Sequence, residues 1–250
     1  LQGDITDFGT VVFSQATTGT YSGQLSATGD VTITGGGNVT LSNTGNSYTG
    51  TTTVKGGSTL TVTAAGEISA NTLALGDAST SGTLAATNTL TLNNNVTLNA
   101  GGGTVDTANG QTLTLSGQLT GTGSLTVADT GTLVLTNSGN NYSGGTTVNS
   151  GATLQGTTSS LQGAITDNGA VVFSQAATGT YSGALSGSGT VTVTGGGNVA
   201  LNNTGNNYSG GTTAKVNSTR SLDAAGEIGT NTPTLGDAST KGTLAATYTF

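Results

Sequence analysis

Short segments in which every second residue is apolar run along the whole chain, separated by glycine, asparagine and serine. Early examples are Val11-Val12-Phe13, Val31-Thr32-Ile33 and Val39-Thr40-Leu41. Later pairs are Leu60/Val62, Leu90/Leu92, Val96/Leu98, Leu113/Leu115, Leu125/Val127 and Leu133/Leu135. A period of two built from Thr, Val and Ile is typical of strands with one buried face. The helix-friendly fragments 64–68 and 84–86 are too short to stand alone. The pattern therefore predicts an all-β protein with these apolar side chains inward.

A polar motif lies between the alternating segments and occurs three times. It reads GNSYTGTTT from Gly45 and GNNYSGGTT from both Gly139 and Gly205. Together with its alternating lead-in, it forms a shorter unit that aligns without gaps at residues 22–53, 116–147 and 182–213. Self-similarity of this kind is typical of stacked repeat architectures.

A longer repeat contains the shorter one. Residues 161–250 match residues 1–90 at a constant offset, with about 62 of 90 positions identical. No linker interrupts the chain, so we expect a single repeat solenoid over residues 1–250. Residues 216–234 depart from the pattern, and Pro233 stands where the first copy has Leu73. Because proline removes a ladder hydrogen bond, we expect an irregular turn there.

Strands this short, with no helices to cover a flat parallel sheet, favour a coil whose turns stack on one another. Each turn would contribute two or three strands, with Leu, Val and Ile inside and Thr and Ser outside. At about 20 residues per turn and about 4.8 Å between strands, the chain would form about 12 turns and a rod of about 55–60 Å. Stacked equivalent positions would place Asn over Asn and Thr over Thr in ladders.

The composition excludes several classes of partner. Charged residues make up 6% of the chain, the net charge is −7, and only Lys55, Lys215, Lys241 and Arg220 are basic. A basic patch for nucleic acid is therefore impossible, and anionic membrane surfaces are disfavoured. No apolar run approaches the ~18 residues needed to span a bilayer, so we expect no membrane insertion.

Catalytic chemistry is poorly supported. The chain has no His and no Cys, which removes the usual nucleophile systems and the usual zinc and copper ligands. The acidic residues available to a polysaccharide-cleaving β-helix are Asp4, Asp7, Glu67, Asp77, Asp106 and Asp129. However, Asp4 becomes Ala164 in the second copy and Asp30 becomes Thr190, which favours solvated turn carboxylates over a glycosidase pair. Calcium at the scattered Asp77, Asp106 and Asp129 is a further alternative, but the turns lack the density of aspartate that such repeats need. We expect no enzyme activity, metal or cofactor.

The motif itself supplies the candidate site residues. Tyr48, Tyr142 and Tyr208 occupy one equivalent position, and Asn46, Asn140 and Asn206 occupy another. Two interpretations remain open for the tyrosines: rings packed over each turn with bonded hydroxyls, or an exposed aromatic row that binds sugars. The GGG runs at Gly35, Gly101 and Gly195 predict tight turns, because neither a lysine nor a helix start follows as in a phosphate loop.

Two stretches carry a resemblance to a known family. They are GGGTVDTANGQTLTLSGQLTGTGSLT from Gly101 and GTLVLTNSGNNYSGGTTVNSGATLQG from Gly131. Both resemble the autotransporter-associated β-strand repeat, also called the passenger-associated transport repeat. The resemblance implies a right-handed parallel β-helix displayed outside a Gram-negative cell, on its surface or secreted. It implies a stalk or adhesive module without catalytic residues.

These observations favour a non-enzymatic extracellular β-solenoid that acts as a structural filament, stalk or adhesin of a cell surface or matrix. Host or cell-surface glycans are the expected external partners. Alternatives are a polysaccharide-processing β-helix and a β-solenoid that binds ice or polysaccharide. The binding alternative would use rows such as Thr87/Thr89/Thr91 and Thr190/Thr192/Thr194, but their irregular spacing in the sequence argues against one ordered face.

The ends of the chain suggest a further expectation. Neither Leu1-Gln2-Gly3 nor residues 247–250 resemble the polar caps that protect the ends of natural solenoids. The first residue is not Met, and the second long repeat stops partway. We therefore expect a processed form or a piece of a longer rod, or copies that associate end to end into filaments.

Overall fold

The structure is a computed structural model that describes residues 1–69, 71–222 and 233–246. These residues form 29 strands and no helix, and every strand pairing is parallel. The strands stack as a β-solenoid of about 11 turns, which confirms the predicted all-β coil. Within the same residues, no helix is long and apolar enough to cross a membrane.

A full turn contributes three strands, one to each of three faces. The first face carries a two-stranded sheet of β1 (Ile5–Asp7) and β4 (Leu25–Ala27). It then carries an eight-stranded sheet of β11 (Leu90–Leu92), β14 (Thr112–Leu115), β17 (Thr132–Leu135), β19 (Thr153–Gly156), β21 (Ala170–Ser174), β24 (Thr190–Thr194), β26 (Thr212–Ala214) and β28 (Thr234–Leu235).

The second face is also divided into two sheets. The first sheet contains β2 (Thr10–Ser14), β5 (Asp30–Thr34), β7 (Thr52–Val54), β9 (Leu73–Leu75), β12 (Val96–Leu98) and β15 (Leu119–Gly121). The second sheet contains β22 (Gly179–Tyr181), β25 (Asn198–Leu201), β27 (Ser218–Leu222) and β29 (Gly242–Ala246).

The third face is a single nine-stranded sheet. It contains β3 (Thr18–Tyr21), β6 (Asn38–Leu41), β8 (Thr59–Val62), β10 (Gly82–Ala86), β13 (Gly103–Thr107), β16 (Leu125–Ala128), β18 (Thr146–Val148), β20 (Ile165–Asp167) and β23 (Leu185–Ser186).

The core is a set of inward columns in which one turn stacks on the next. On the third face the register places Leu60, Leu84, Val105, Val127 and Val148 over one another. Burial of such columns removes apolar surface from water continuously along the rod. The predicted inward residues are confirmed, with exposed fractions of 0 to 1% at Leu113, Leu115, Leu125, Val127, Leu133 and Leu135.

Glycine-rich corners allow the chain to change face. Gly35 and Gly36 have φ of 94° and 82° between β5 and β6, and Gly195 and Gly196 repeat this between β24 and β25. Positive φ of this kind favours glycine, which lacks the Cβ that would clash. The GGG runs are therefore tight turns, as the sequence predicts.

The stretch that departs from the repeat still forms part of the coil. Strand β27 pairs with both β25 and β29, so the irregular turn expected over 216–234 does not extend through Ser218–Leu222. The deviation is instead local. Val216 and Asn217 adopt φ of 58° and 57°, and Arg220 is buried where the first copy has Leu60. Residues 223–232 of this stretch lie outside the described residues.

Candidate functional site

Each copy of the motif extends a strand of the turn before it. The amide of Ser47 donates to the Leu25 carbonyl of β4 over 2.8 Å. The amides of Asn141 and Asn207 donate to Leu119 of β15 and Leu185 of β23, each over 2.9 Å. These three strands lie on the first, second and third faces respectively. The motif therefore moves to the next face at each occurrence, and its copies do not stack on one another.

The motif asparagine joins neighbouring turns from inside the coil. The side-chain oxygen of Asn140 accepts the Leu119 amide over 2.8 Å, and its side-chain nitrogen donates to the Ser160 carbonyl over 2.9 Å. Asn46 makes the equivalent bonds to Leu25 and Glu67. All three motif asparagines are buried, with 4 to 8% of their surface exposed. A buried amide bonded on both sides satisfies backbone groups that would otherwise be costly to leave unpaired.

The motif tyrosines are also internal. Tyr48, Tyr142 and Tyr208 are 0, 3 and 0% exposed, which excludes an exposed aromatic row at these positions. Each hydroxyl shares a hydrogen bond with the threonine four residues on, over 2.6 Å at Tyr48, 2.8 Å at Tyr142 and 2.5 Å at Tyr208. Burial raises the pKa of all three phenols above the ordinary value, so their hydroxyl groups remain neutral.

A glycine in the motif lets the chain pass close to the turn before it. A Cβ on Gly50 would lie 2.3 Å from the Gly29 carbonyl oxygen, and one on Gly210 would lie 2.3 Å from that of Gly189. At Gly144 the same atom would lie 2.3 Å from the carbonyl carbon of Gly123. This close approach is a structural requirement that the sequence pattern alone did not reveal.

Two acidic residues of the long repeat occupy interior positions. Asp7 and Asp167 are equivalent, and each accepts an amide hydrogen bond of 2.9 Å, from Gly9 and Gly169 respectively. The second carboxyl oxygen of each is buried and has no hydrogen-bond partner among the described residues. The sequence predicts a solvated turn carboxylate at Asp7, and the burial of this side chain shows that the prediction is wrong there.

The other candidate acids lie apart on the outside or support local turns. Asp4 is exposed and Asp77 is half-buried. Asp77 accepts the Ser79 and Thr80 amides, which lowers its pKa to about 2. Burial and the carboxylate of Asp129 raise the pKa of Asp106. Glu67 is buried and accepts the amide and the hydroxyl of Thr63, although we expected a solvated carboxylate there. Across the described residues, no group of three acidic side chains could hold a metal ion.

Threonines align on the third face in a way that their spacing in the sequence conceals. Six of them stack in register over consecutive turns although they are 19 to 24 residues apart, namely Thr59, Thr83, Thr104, Thr126, Thr147 and Thr166. The expectation of dispersed threonines is therefore wrong for this face. On the first face the expectation of dispersed threonines is correct for Thr91 and Thr192. Their column is interrupted by Val134, Gln155 and Val172.

Comparison with known proteins gives one match. The family model described as Passenger-associated-transport-repeat matches residues 31–62 and 125–155, which include the second half of the lead-in and the first and second copies of the motif. No curated protein and no solved structure matches the chain significantly.

Proposed function

The chain carries passenger-associated-transport repeats, and from this premise we propose that it works outside a bacterial cell as a non-enzymatic rod: a stalk, structural filament or adhesin of the cell surface or its matrix. The repeat and the β-solenoid fold are compatible with an autotransporter passenger domain. The fold also fits such a role physically, because each turn contacts only its neighbours and the rod grows by adding turns.

One observation carries the proposal: an asparagine and the tyrosine of the repeated motif are buried and hydrogen-bonded inside the coil. The side chains of Asn140 and Tyr142 bond to the backbone and to threonine, so these two side chains leave no polar group free to bind a substrate. A motif that hydrogen-bonds one turn to its neighbours stabilises the stacking of turns, and so favours a long and rigid rod. Long, charge-poor outer faces rich in threonine would then make the external contacts.

Export is the direct test. Residues 1–250 would be fused between a secretion signal and an outer-membrane translocator, and surface display would be measured by protease digestion of intact cells. We expect a protease-accessible rod. The variant Asn140→Ala, which leaves the Leu119 amide and the Ser160 carbonyl unpaired, should reduce the displayed amount, whereas the exposed Asn141→Ala should not. Retention of the wild-type fusion inside the cell would contradict the proposal.

We also propose that the rod catalyses nothing. The absence of His and Cys and the drift of acidic residues between the internal copies support this. The test incubates the protein with a panel of polysaccharides and measures released sugar. Release that Asp7→Ala or Asp77→Ala abolishes would show an enzyme instead.

Association end to end remains part of the proposal. Strands β20 and β21 are the counterparts of β1 and β2 in the long repeat, and each pairs with a strand on both sides. The same sequence therefore accepts a neighbouring turn at either edge, as stacking of copies requires. Sedimentation and electron microscopy should show linear oligomers that lengthen with concentration; single short rods at high concentration would contradict this.

The adhesin form of the proposal needs a partner, and we propose neutral glycans of a cell surface. With four basic residues in the chain, strong attraction to acidic polymers is disfavoured, which supports an uncharged partner. A glycan array should show binding that does not weaken at high salt. An array without binding would leave the stalk and filament roles and remove the adhesin role.

A further inference from the structure

We propose that the third face packs against the same face of a second copy of this chain, so that two rods lie side by side with their threonine columns opposed. The proposal goes beyond the rod function and does not depend on where the protein resides. It rests on three columns of outward side chains that run along this face.

The central column is the aligned threonine row. From Thr59 to Thr166 every turn presents a threonine, and Ser186 continues the column on β23. Five of the six threonines are half-buried by their neighbours, and Thr166 is exposed. β-Branched side chains have restricted rotamers, so the row offers ordered hydroxyl and methyl groups with little entropy left to lose.

The flanking columns contain mostly small residues. On one side, continuing the strand register to two residues before each member of the central column gives Gly57, Ser81, Gly102, Ser124, Gly145, Ala164 and Ala184. On the other side the register gives Thr61, Ala85, Asp106 and Ala128, followed by Asn149 and Asn168. No side chain in these columns is larger than asparagine or aspartate, so the face is nearly as flat as the sheet itself.

Little charge opposes close approach of two such faces. Asp106 is the single ionisable side chain in the three columns. Among the residues that the structure describes, the remaining acidic groups lie at corners, in the interior or on other faces. A flat face with a single ionisable side chain is therefore embedded in an otherwise acidic molecule.

The repeat distance selects a second copy as the occupant. Turns of the coil recur about every 4.8 Å, and opposed sheets pack about 10 Å apart when their side chains are small enough to interdigitate. Another copy of this face has the same period by construction, so contacts made at one turn recur at every turn. A glycan or crystalline lattice would need a matching repeat of its own. Pairing about a two-fold axis would let each column meet its own equivalent.

The size of the face sets the strength of the contact. Six turns and three columns cover on the order of 400 Å² per partner, about half of the ~800 Å² per partner in a stable complex. A pair of 250-residue chains should therefore associate weakly and reversibly. Association should strengthen as turns are added, because each added turn repeats the same contact at high effective concentration.

Single cysteines provide the main test, since the chain has none of its own. Thr104→Cys and Thr126→Cys lie on the third face, and the matched controls Thr97→Cys and Thr114→Cys lie on the second and first faces and are equally half-buried. Under mild oxidation of the full chain, we expect intermolecular disulfides to form at least about tenfold faster on the third face. Equal rates on all three faces would overturn the proposal.

Charge substitution provides a second test. Thr104→Lys combined with Thr126→Lys should shift the weight-average mass in sedimentation toward the monomer, and Asp106→Asn should shift it toward the dimer. The control is Thr97→Lys with Thr120→Lys on the second face. If the lysine variant fails to fold, the cysteine comparison decides. Loss of binding to neutral polysaccharide or to ice in the third-face variant, with no effect on self-association, would assign the face to that other occupant and overturn the proposal.

Discussion

Asp167 follows Val148 in an inward column of the third face, where the turns before it present leucine or valine. Its side chain is 0% exposed. One carboxyl oxygen accepts the Gly169 amide, and the other has no hydrogen-bond partner among the described residues. Burial disfavours the charged form and raises the pKa of Asp167 to about 6. The carboxyl group of Asp167 is therefore a titratable group inside an aliphatic column. The phenol of Tyr208 interacts electrostatically with both Asp167 and Arg220.

The first prediction is that the rod becomes less stable as pH rises through about 6. A carboxyl with a raised pKa binds its proton more tightly in the folded state than in the unfolded chain, where the value is 3.8. Its contribution is fully present below about pH 4 and is lost as pH rises through about 6. A pKa difference of about 2 between the folded and unfolded states corresponds to roughly 3 kcal/mol of unfolding free energy. Denaturant unfolding from pH 4 to pH 7.5 measures it.

Asp167→Asn is the variant that isolates this effect, because asparagine does not titrate. The difference in unfolding free energy between wild type and Asp167→Asn should change across pH 4–7. Asp77→Asn is the control, because the pKa of Asp77 is lowered to about 2 and its titration lies below this range. A constant difference for Asp167→Asn would contradict the assignment.

The second prediction concerns the motif asparagine. Asn140→Ala removes the acceptor for the Leu119 amide and the donor for the Ser160 carbonyl, and both groups are buried by the coil. Leaving two buried backbone groups unpaired should lower the free energy of unfolding by about 2–4 kcal/mol. The neighbouring Asn141→Ala, at an exposed position, should change it by less than about 0.5 kcal/mol. Equal effects in urea unfolding would refute the bridging role.

The third prediction concerns the motif glycine. A methyl group on Gly144 would meet the peptide group between Gly123 and Ser124 at 2.3 to 2.5 Å, and backbone atoms have little room to move. Gly144→Ala should therefore destabilise the rod by more than about 3 kcal/mol or prevent folding. At Gly9 the added atom meets nothing within 4 Å, so Gly9→Ala serves as the control and should be nearly neutral. Thermal melts followed by circular dichroism compare the two, and similar melting temperatures would count against the steric argument.

The fourth prediction concerns a strained corner. Val216 has φ of 58° where the first copy has Gly56 at 64°, and left-handed φ is unfavourable for a β-branched residue. Val216→Gly should raise the free energy of unfolding by about 1 kcal/mol, after the entropy cost of glycine is subtracted. Asn217→Gly should give a smaller gain, because asparagine tolerates this conformation. A loss of stability in Val216→Gly would show that the corner is not strained.

The fold followed from local rules that a single sequence makes visible. Alternation at Leu113/Leu115 or Leu133/Leu135 specifies an inward face whatever the neighbouring turns are. The packed-ring interpretation of the tyrosines agrees with the structure, since the rings are buried and their hydroxyls bonded. Features that depend on a short stretch of sequence, such as the inward face of a strand, were therefore predictable.

Relations between turns were not predictable in the same way. The turns differ in length, so threonines at 19 to 24 residue intervals align only after loops at the corners absorb the difference. Asp7, the equivalent of Asp167 in the first copy, is predicted from the sequence to be a turn carboxylate. Nothing in the local sequence shows that Asp167 follows Val148 in an inward column. The close approach of Gly144 to Gly123 depends on the same three-dimensional register.

The change of face between motif copies has a mechanical consequence. The bridges begin on β4 of the first face, β15 of the second and β23 of the third. A beam tied along one side only bends readily away from its ties and twists about them. Ties distributed around the circumference leave no preferred direction of bending, so a rod built from this sequence should resist lateral force equally from every side.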